Sequence, residues 1–192
     1  MQDFLFYLKM GWEHIISLDA LDHQLFVLVL MVVYGLSDLK KLLILVTSFT
    51  IGHSITLVLS ALDIVRISTD WIEFLIPITI LLTALDNLIM RGNSKGLMQM
   101  NYTLALVFGL VHGMGFANIA RVAISSEQSL FVPLLGFNIG LELGQIAVVI
   151  VLLILSYIVQ KIFKVKAKDW VFFISSGVFA LSLQMALERI PF

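Results

Sequence analysis

The sequence predicts an all-α protein: a polytopic membrane helix bundle of six to seven transmembrane helices, forming a single domain over residues 1–192. Composition is the first reason, because 60% of the 192 residues are hydrophobic, 13% are charged and the mean hydropathy is +1.03. A soluble domain could not keep such a surface in water. The second reason is that apolar segments of about 20 residues, the length that crosses a bilayer core, recur along the chain.

The elements follow from these apolar segments in chain order. Residues 1–18 are apolar but too short to cross a bilayer, which predicts an interfacial or partly inserted N-terminal helix. The spans themselves are predicted at 21–36, 42–62, 71–90, 102–124, 130–159 and 170–187. The count is six, or seven if the N-terminal helix also inserts.

The basic residues predict the orientation of the bundle. Most of them follow spans one, three and five, namely Lys40, Lys41, Arg91, Lys95, Lys161, Lys164, Lys166 and Lys168. Loops rich in lysine and arginine remain in the cytoplasm. Both termini are therefore expected on the outer side of the membrane.

Composition also excludes several functional classes. The chain has no cysteine, so disulfides and thiolate metal sites are ruled out. A net charge of -1 argues against a nucleic-acid partner. No phosphate-binding loop is present, so we expect no nucleotide cofactor and no ATP hydrolysis by this chain.

The segment from residue 11 to residue 26, GWEHIISLDALDHQLF, concentrates ionisable side chains at the start of a membrane span. These side chains are Glu13, His14, Asp19, Asp22 and His23. Charge is costly in a bilayer, and polar residues there are functional candidates by default. Imidazole and carboxylate groups together can ligate divalent metals. This segment is therefore predicted to capture a metal ion.

Three further polar residues lie near the middle of their spans: His53, His112 and Glu142. We expect them to converge near the membrane midplane and to hold the ion there. Asn138, Glu142 and Gln145 recur at a spacing that places them on one helix face.

Two more polar residues are predicted to support this path. Ser54 directly follows His53, and Asp86 lies nearer the cytoplasmic end of its span, where it would assist release of the ion. All four histidines of the chain thus belong to the predicted path.

Glycines recur every fourth residue at 136, 140 and 144, and again at 109 and 113. This spacing allows membrane helices to approach closely. The sequences FTIGHS and FNIGLE begin seven residues into the second and fifth spans. Because they are offset by three spans, an odd number, they predict two inverted three-helix repeats, an architecture that places transporter sites at the midplane.

Six motifs taken together, GWEHI, DHQLF, FTIGHSITL, EFLIPITI, FGLVHGMGFA and FNIGLELGQ, resemble the HupE/UreJ family of bacterial membrane proteins. The resemblance implies a nickel or cobalt transporter of the bacterial inner (cytoplasmic) membrane. It also implies that His14, Asp22, His23, His53, His112 and Glu142 occupy the family's polar positions. The opening motif is similar, more loosely, to the His-x-x-x-x-Asp-His signature of nickel/cobalt permeases, from which Leu18 and Asp19 depart.

The function expected from these observations is transmembrane transport of a divalent transition-metal cation, with nickel or cobalt ahead of zinc or copper. The partners are then the metal ion and the lipid bilayer, and a homo-oligomer stays open. Three alternatives remain: an intramembrane zinc-dependent hydrolase, a haem-binding electron carrier ligated by His53 and His112, and an accessory membrane protein with a structural metal.

Purely structural roles also account for single residues of the set. His14 and His23 could bond Glu13 and Asp22 at the interface, and His53 or His112 could join two helices. Glu142 is harder to explain in this way, because a buried carboxylate must be protonated, paired or bound to a cation.

Overall fold

The computed structural model describes residues 2–17, 20–90, 98–124 and 131–191. The secondary structure in these ranges is helical, which confirms the all-α prediction. The seven α-helices found there are α1 (Gln2–Ile16), α2 (Leu21–Met31), α3 (Leu39–Ala61), α4 (Thr69–Met90), α5 (Met98–Ile124), α6 (Phe131–Lys161) and α7 (Ala167–Glu188). A short 3-10 helix, Leu36–Asp38, precedes α3.

Helix length and hydropathy support a multi-pass membrane protein. Segments Leu36–Ser60, Thr69–Ile89, Phe131–Lys161 and Ala167–Glu188 are each long and apolar enough to cross a bilayer, and α1 with α2 forms a fifth candidate as a pair bent by 67°. In α5 the described apolar stretch, Tyr102–Gly115, is shorter. Large apolar side chains such as Phe172 and Phe173 are exposed on the outside, as expected for surfaces that face lipid.

The N-terminal helix α1 packs along α6 inside the bundle, with Tyr7 and Ile15 buried. It ends at Ile16, and the side chain of Gln24 caps its C-terminus. The Nε2 group of Gln24 donates hydrogen bonds to the carbonyls of Ile15, Ile16 and Ser17 at 3.1, 3.2 and 2.9 Å. These carbonyls have no intrahelical partner at a helix end, so this glutamine stabilises the break before α2.

The most extensive helix pairings are α3 with α5, α1 with α6 and α4 with α7. Glycine permits two of these close approaches. A methyl group added at Gly11 of α1 would strike the carbonyl of Phe137 on α6, and one added at Gly109 of α5 would strike the carbonyl of Phe49 on α3. The two contacts correspond, because Phe49 and Phe137 begin the similar sequences FTIGHS and FNIGLE.

The correspondence extends to the partner glycines. A methyl group at Gly52 of α3 would strike the carbonyl of Leu106 on α5, and one at Gly140 of α6 would strike the carbonyl of Leu8 on α1. The α1–α6 pair therefore repeats the packing of the α5–α3 pair, turn for turn.

The two pairs are inverted relative to each other. Helices α3 and α6 run in opposite directions where they cross, since the ring of His53 stacks on Phe137 at 6.0 Å while Thr47, earlier on α3, reaches Glu142, later on α6. This arrangement supports the predicted inverted repeats, with α1–α2, α3 and α4 in one half and α5, α6 and α7 in the other.

Candidate metal centre

Four helices each contribute one histidine to a single buried cluster: His14 from α1, His23 from α2, His53 from α3 and His112 from α5. Ligand nitrogens of His14, His23 and His53 all lie within 4.8 Å of one another. The ring of His23 is central, because its centroid lies 4.8 Å from that of His14 and 4.8 Å from that of His112. We call these four residues the histidine cluster.

Hydrogen bonds orient two of the rings. Nδ1 of His23 lies 2.9 Å from Oδ1 of Asp22, and Nδ1 of His112 lies 2.9 Å from the carbonyl oxygen of Phe108. Both partners are acceptors, so a neutral ring carries its proton on Nδ1 and donates it. The lone pair is then on Nε2. A carboxylate or carbonyl behind a histidine is the usual support of a metal-ligating imidazole.

Three members of the histidine cluster are almost fully shielded from solvent, since His23 is 5% exposed, His53 0% and His112 1%, while His14 is half-buried. Among the residues that the structure describes, Nε2 of each of these three rings has no hydrogen-bond partner, and the same holds for Nδ1 of His53. An unsatisfied buried polar atom costs about 1–3 kcal/mol. A cation ligated by these nitrogens would remove that cost, so the donor set fits a metal.

Phenylalanine rings form the walls of the cluster. The ring of His53 stacks on Phe49, with 6.2 Å between the ring centroids, and on Phe137, with 6.0 Å. The centroid of Phe49 also lies 5.2 Å from that of His112, and the centroid of Phe137 lies 5.6 Å from that of His14. These apolar walls exclude water and strengthen electrostatic interactions inside. Sequence analysis missed their role, although both phenylalanines open the repeated motif.

The carboxylate of Asp22 has a second neighbour that sequence analysis missed. Nη1 of Arg189, which directly follows α7, lies 3.9 Å from Oδ2 of Asp22. The side chain of Asp22 is only 16% exposed. One oxygen of this carboxylate therefore orients His23 while the other faces a guanidinium group. Arg189 is 167 positions away along the chain, and no local pattern reveals it.

Glu142 does not point into the histidine cluster, which corrects the expected convergence with His53 and His112. Its Oε1 accepts a hydrogen bond from Oγ1 of Thr47 at 2.6 Å, and the side chain is partly exposed. The reason is helical geometry. Leu141, one position earlier, is fully buried beside Phe137, and the next residue is turned by about 100° around the helix.

The other polar residues of α6 also bond elsewhere. Gln145 is buried and accepts a hydrogen bond from Oγ1 of Thr50 at 3.1 Å, and Nδ2 of Asn138 donates to the carbonyl of Leu134 in its own helix at 2.8 Å. The polar face predicted for α6 thus joins it to α3 at two points. A metal role for Glu142, Asn138 and Gln145 stays a prediction.

The remaining predicted residues that the structure describes make their contacts outside the histidine cluster. Ser54 bonds the carbonyl of Thr50 in its own helix, and Glu13 is exposed with Nζ of Lys9 at 3.5 Å. Asp86 lines a separate cavity of about 150 Å³, together with Thr83, Asn87, Leu30, Leu82, Leu104 and Phe108. Asp19 lies outside the described residues.

The ligand nitrogens are farther apart than they would be around a bound ion. Imidazole nitrogens ligate zinc at about 2.0–2.1 Å, so two ligands of a tetrahedral ion lie about 3.4 Å apart. The nitrogens of His14, His23 and His53, at up to 4.8 Å from one another, would have to move inward by an ångström or so to surround an ion. Imidazoles of this kind suit nickel, cobalt, zinc and copper.

Fold and site together define a class: a polytopic helical membrane protein that carries a buried cluster of imidazoles shared by four helices. The chain matches a family model described as HupE / UreJ protein over residues 1–189. Because the match covers nearly the whole chain, the protein belongs to the HupE/UreJ family. This membership and the apolar helices support a role in membrane metal transport. Comparison with curated proteins and with solved structures gave no match.

Proposed function

We propose that this protein moves a divalent transition-metal cation across the bacterial inner membrane, with nickel or cobalt as the first candidates and zinc or copper as the alternatives. The metal ion is the transported substrate, and no enzyme activity is proposed. One observation carries the proposal: ligand nitrogens of His14, His23 and His53 lie within 4.8 Å of one another, and the buried Nε2 atoms of His23 and His53 have no partner in the described structure.

The histidine cluster has the properties that a transport site needs. A carboxylate, Asp22, supports the central ring and adds a negative charge that attracts cations to the site. Its ligands come from both halves of the inverted repeat, so a relative movement of the halves would change the coordination of the ion. A site that can be distorted in this way can release its ion.

A release route lies behind the phenylalanines. Phe26 contacts Phe49 at 5.2 Å and Phe108 at 5.2 Å, and Phe108 borders the cavity that contains Asp86. We propose that the ion passes these rings and reaches Asp86 before it leaves. The Phe26 ring lies 5.7 Å from His112, so the rings separate the histidine cluster from that cavity.

The test combines metal analysis of the purified protein with ion uptake into vesicles. Flux of nickel or cobalt is expected for the wild type and for Ser182→Ala, a matched control that removes a buried hydroxyl from α7. The variants His23→Ala and His53→Ala are expected to lose both bound metal and flux while they elute as folded protein. Metal binding without flux in the wild type would contradict transport and favour an accessory protein or a hydrolase.

A further inference from the structure

We infer that Gly115 is a hinge at which α5 opens into two helices inclined to each other like α1 and α2, so that the two halves exchange their shapes as the ion crosses. This inference rests on the proposed transport function. It is carried by the detailed correspondence between the halves and by one place where they differ.

Helices α1 and α5 correspond to each other at a constant offset along the chain. Gly109 and His112 each lie 98 positions after their counterparts, Gly11 and His14. The glycines make corresponding contacts with Phe137 and Phe49, as described above. The two Gly-x-x-His segments are therefore equivalent in three dimensions as well as in sequence.

The equivalence extends into the histidine cluster. The ring of His14 lies 5.6 Å from Phe137, and the ring of His112 lies 5.2 Å from Phe49. Both phenylalanines stack on His53. The cluster is thus built around an approximate two-fold axis, with His14 and His112 as corresponding ligands.

The two halves also differ. Helix α1 ends at Ile16 and the chain turns by 67° into α2, whereas α5 continues without a break to Ile124. In the same register, Ser17, where α1 has just ended, corresponds to Gly115 of α5. Inverted repeats with different shapes are the arrangement from which alternating access arises, because each half can adopt the shape of the other.

Helix packing does not explain Gly115. Among the described residues, a methyl group added there would meet side-chain ends and no backbone atom: Cδ1 of Ile76 at 3.2 Å, which would have to shift by a few tenths of an ångström, and Cγ2 of Ile72 at 3.5 Å. At the neighbouring Gly113 it would strike the backbone carbonyl of His53 and the hydroxyl of Thr56. Gly115 therefore weakens α5 without allowing a close approach, and backbone freedom is the property that glycine supplies there.

The position of Gly115 also suits this role. It lies three residues after His112, as Ser17 lies three residues after His14. Opening α5 at Gly115 would move the second half of the helix relative to His112. The side of the membrane from which the ion can reach its ligands would then change.

The first experiment compares Gly115→Ala with Gly177→Ala. Gly177 lies inside α7 with nothing within 4 Å of an added methyl group, so both variants gain helix propensity and neither creates a backbone clash. Equilibrium binding of nickel is expected to stay within about twofold of the wild type in both, while flux is expected to fall at least about tenfold in Gly115→Ala alone. Equal flux in the two variants would overturn the hinge. Absence of flux in the wild type would instead reject the proposed function.

A second measurement does not depend on transport. The chain has no cysteine, so two cysteines introduced in place of Val107 and Ile124 can carry spin labels at two defined positions. A straight α5 separates these positions by about 25 Å, and a bend of 67° at Gly115 shortens that distance by about 4 Å. The wild type, measured with and without zinc, is expected to show both distances, and Gly115→Ala only the longer one. A single long distance in the wild type under both conditions would overturn the hinge.

Discussion

At the scale of single residues, the unsatisfied nitrogens of the histidine cluster lower the stability of the metal-free protein and are the atoms that would bind the proposed metal. His53 is fully buried, and neither ring nitrogen has a partner in the described structure. The corresponding position on α6 is Leu141, which packs as an ordinary apolar residue. The two halves thus keep the same packing role at this position, and of the two residues only His53 offers nitrogen atoms to the proposed metal.

This comparison predicts the effect of His53→Leu. Leucine fills a similar volume and leaves no polar atom unsatisfied, so the metal-free protein is expected to become more stable by about 1 kcal/mol while it loses metal binding. Thermal unfolding in detergent without metal and equilibrium metal binding check both parts. A drop in unfolding temperature would show that the buried nitrogens have partners after all.

Asp22 is expected to act through His23. The variant Asp22→Asn keeps the shape of the side chain but removes the charge that supports the ring, so metal affinity is expected to fall about 10–100-fold. Glu13→Gln is the matched control, because Glu13 is exposed and forms an ion pair with Lys9. Equal losses of affinity in the two variants would contradict the specific role of Asp22.

The pH dependence follows from competition between protons and the metal ion for imidazole nitrogen. Metal binding needs neutral rings, and a free imidazole takes up a proton near about pH 6.5. Binding and uptake are therefore expected to be strongest at neutral pH and to weaken as the pH falls. Equilibrium zinc binding measured from about pH 8 down to the lowest pH at which the protein stays folded provides the check, and affinity that rises as the pH falls would refute imidazole ligation.

At the scale of helices, glycine sets how closely the pairs pack. Gly52 and Gly140 each face a backbone carbonyl of the neighbouring helix, so no side-chain adjustment can make room for a larger residue. The close approach brings His53 on α3 and His112 on α5 into one cluster. Packing of these two helix pairs is thus a condition for the site and not only for the fold.

The matching prediction concerns Gly52→Ala. A methyl group there would strike the carbonyl of Leu106, so the variant is expected to lose about 1–3 kcal/mol of stability. Gly177→Ala, with open space around it, is expected to be neutral or slightly more stable. Denaturation in detergent distinguishes the two, and equal stability would show that α3 and α5 can separate without cost.

At the scale of the whole molecule, orientation decides which side loads the site. If the bent α1–α2 pair counts as one span and α5 also crosses the membrane, the bundle has six spans, and both termini lie on the same side of the membrane. The basic loops predict that this side is the outside. The N-terminal helix then brings His14 toward the histidine cluster from the outer half of the bundle.

This orientation is testable with reporters fused to either end of the chain. A periplasm-active phosphatase fused after residue 192 is expected to be active, and a cytoplasm-dependent fluorescent protein at the same place is expected to be dark. Fusions in the loop that contains Lys164 and Lys166 should give the opposite result. Fluorescence of the C-terminal fusion would show that the orientation is opposite to the predicted one, and the geometry of the histidine cluster would be unaffected.

The membrane class and the helices follow from the amino-acid sequence, because the apolar segments must match the thickness of a bilayer and this length is visible in the chain. The four histidines are also recognisable there as candidates, since polar groups in such segments are costly. Which of them meet depends on how the helices pack. His14 and His112 are joined by packing across 98 positions, Arg189 reaches Asp22 from the other end of the chain, and Glu142 is turned toward Thr47. Depth along a helix can be estimated from sequence, but the direction of a side chain depends on how the helix is rotated against its neighbours, and that rotation is set by long-range packing.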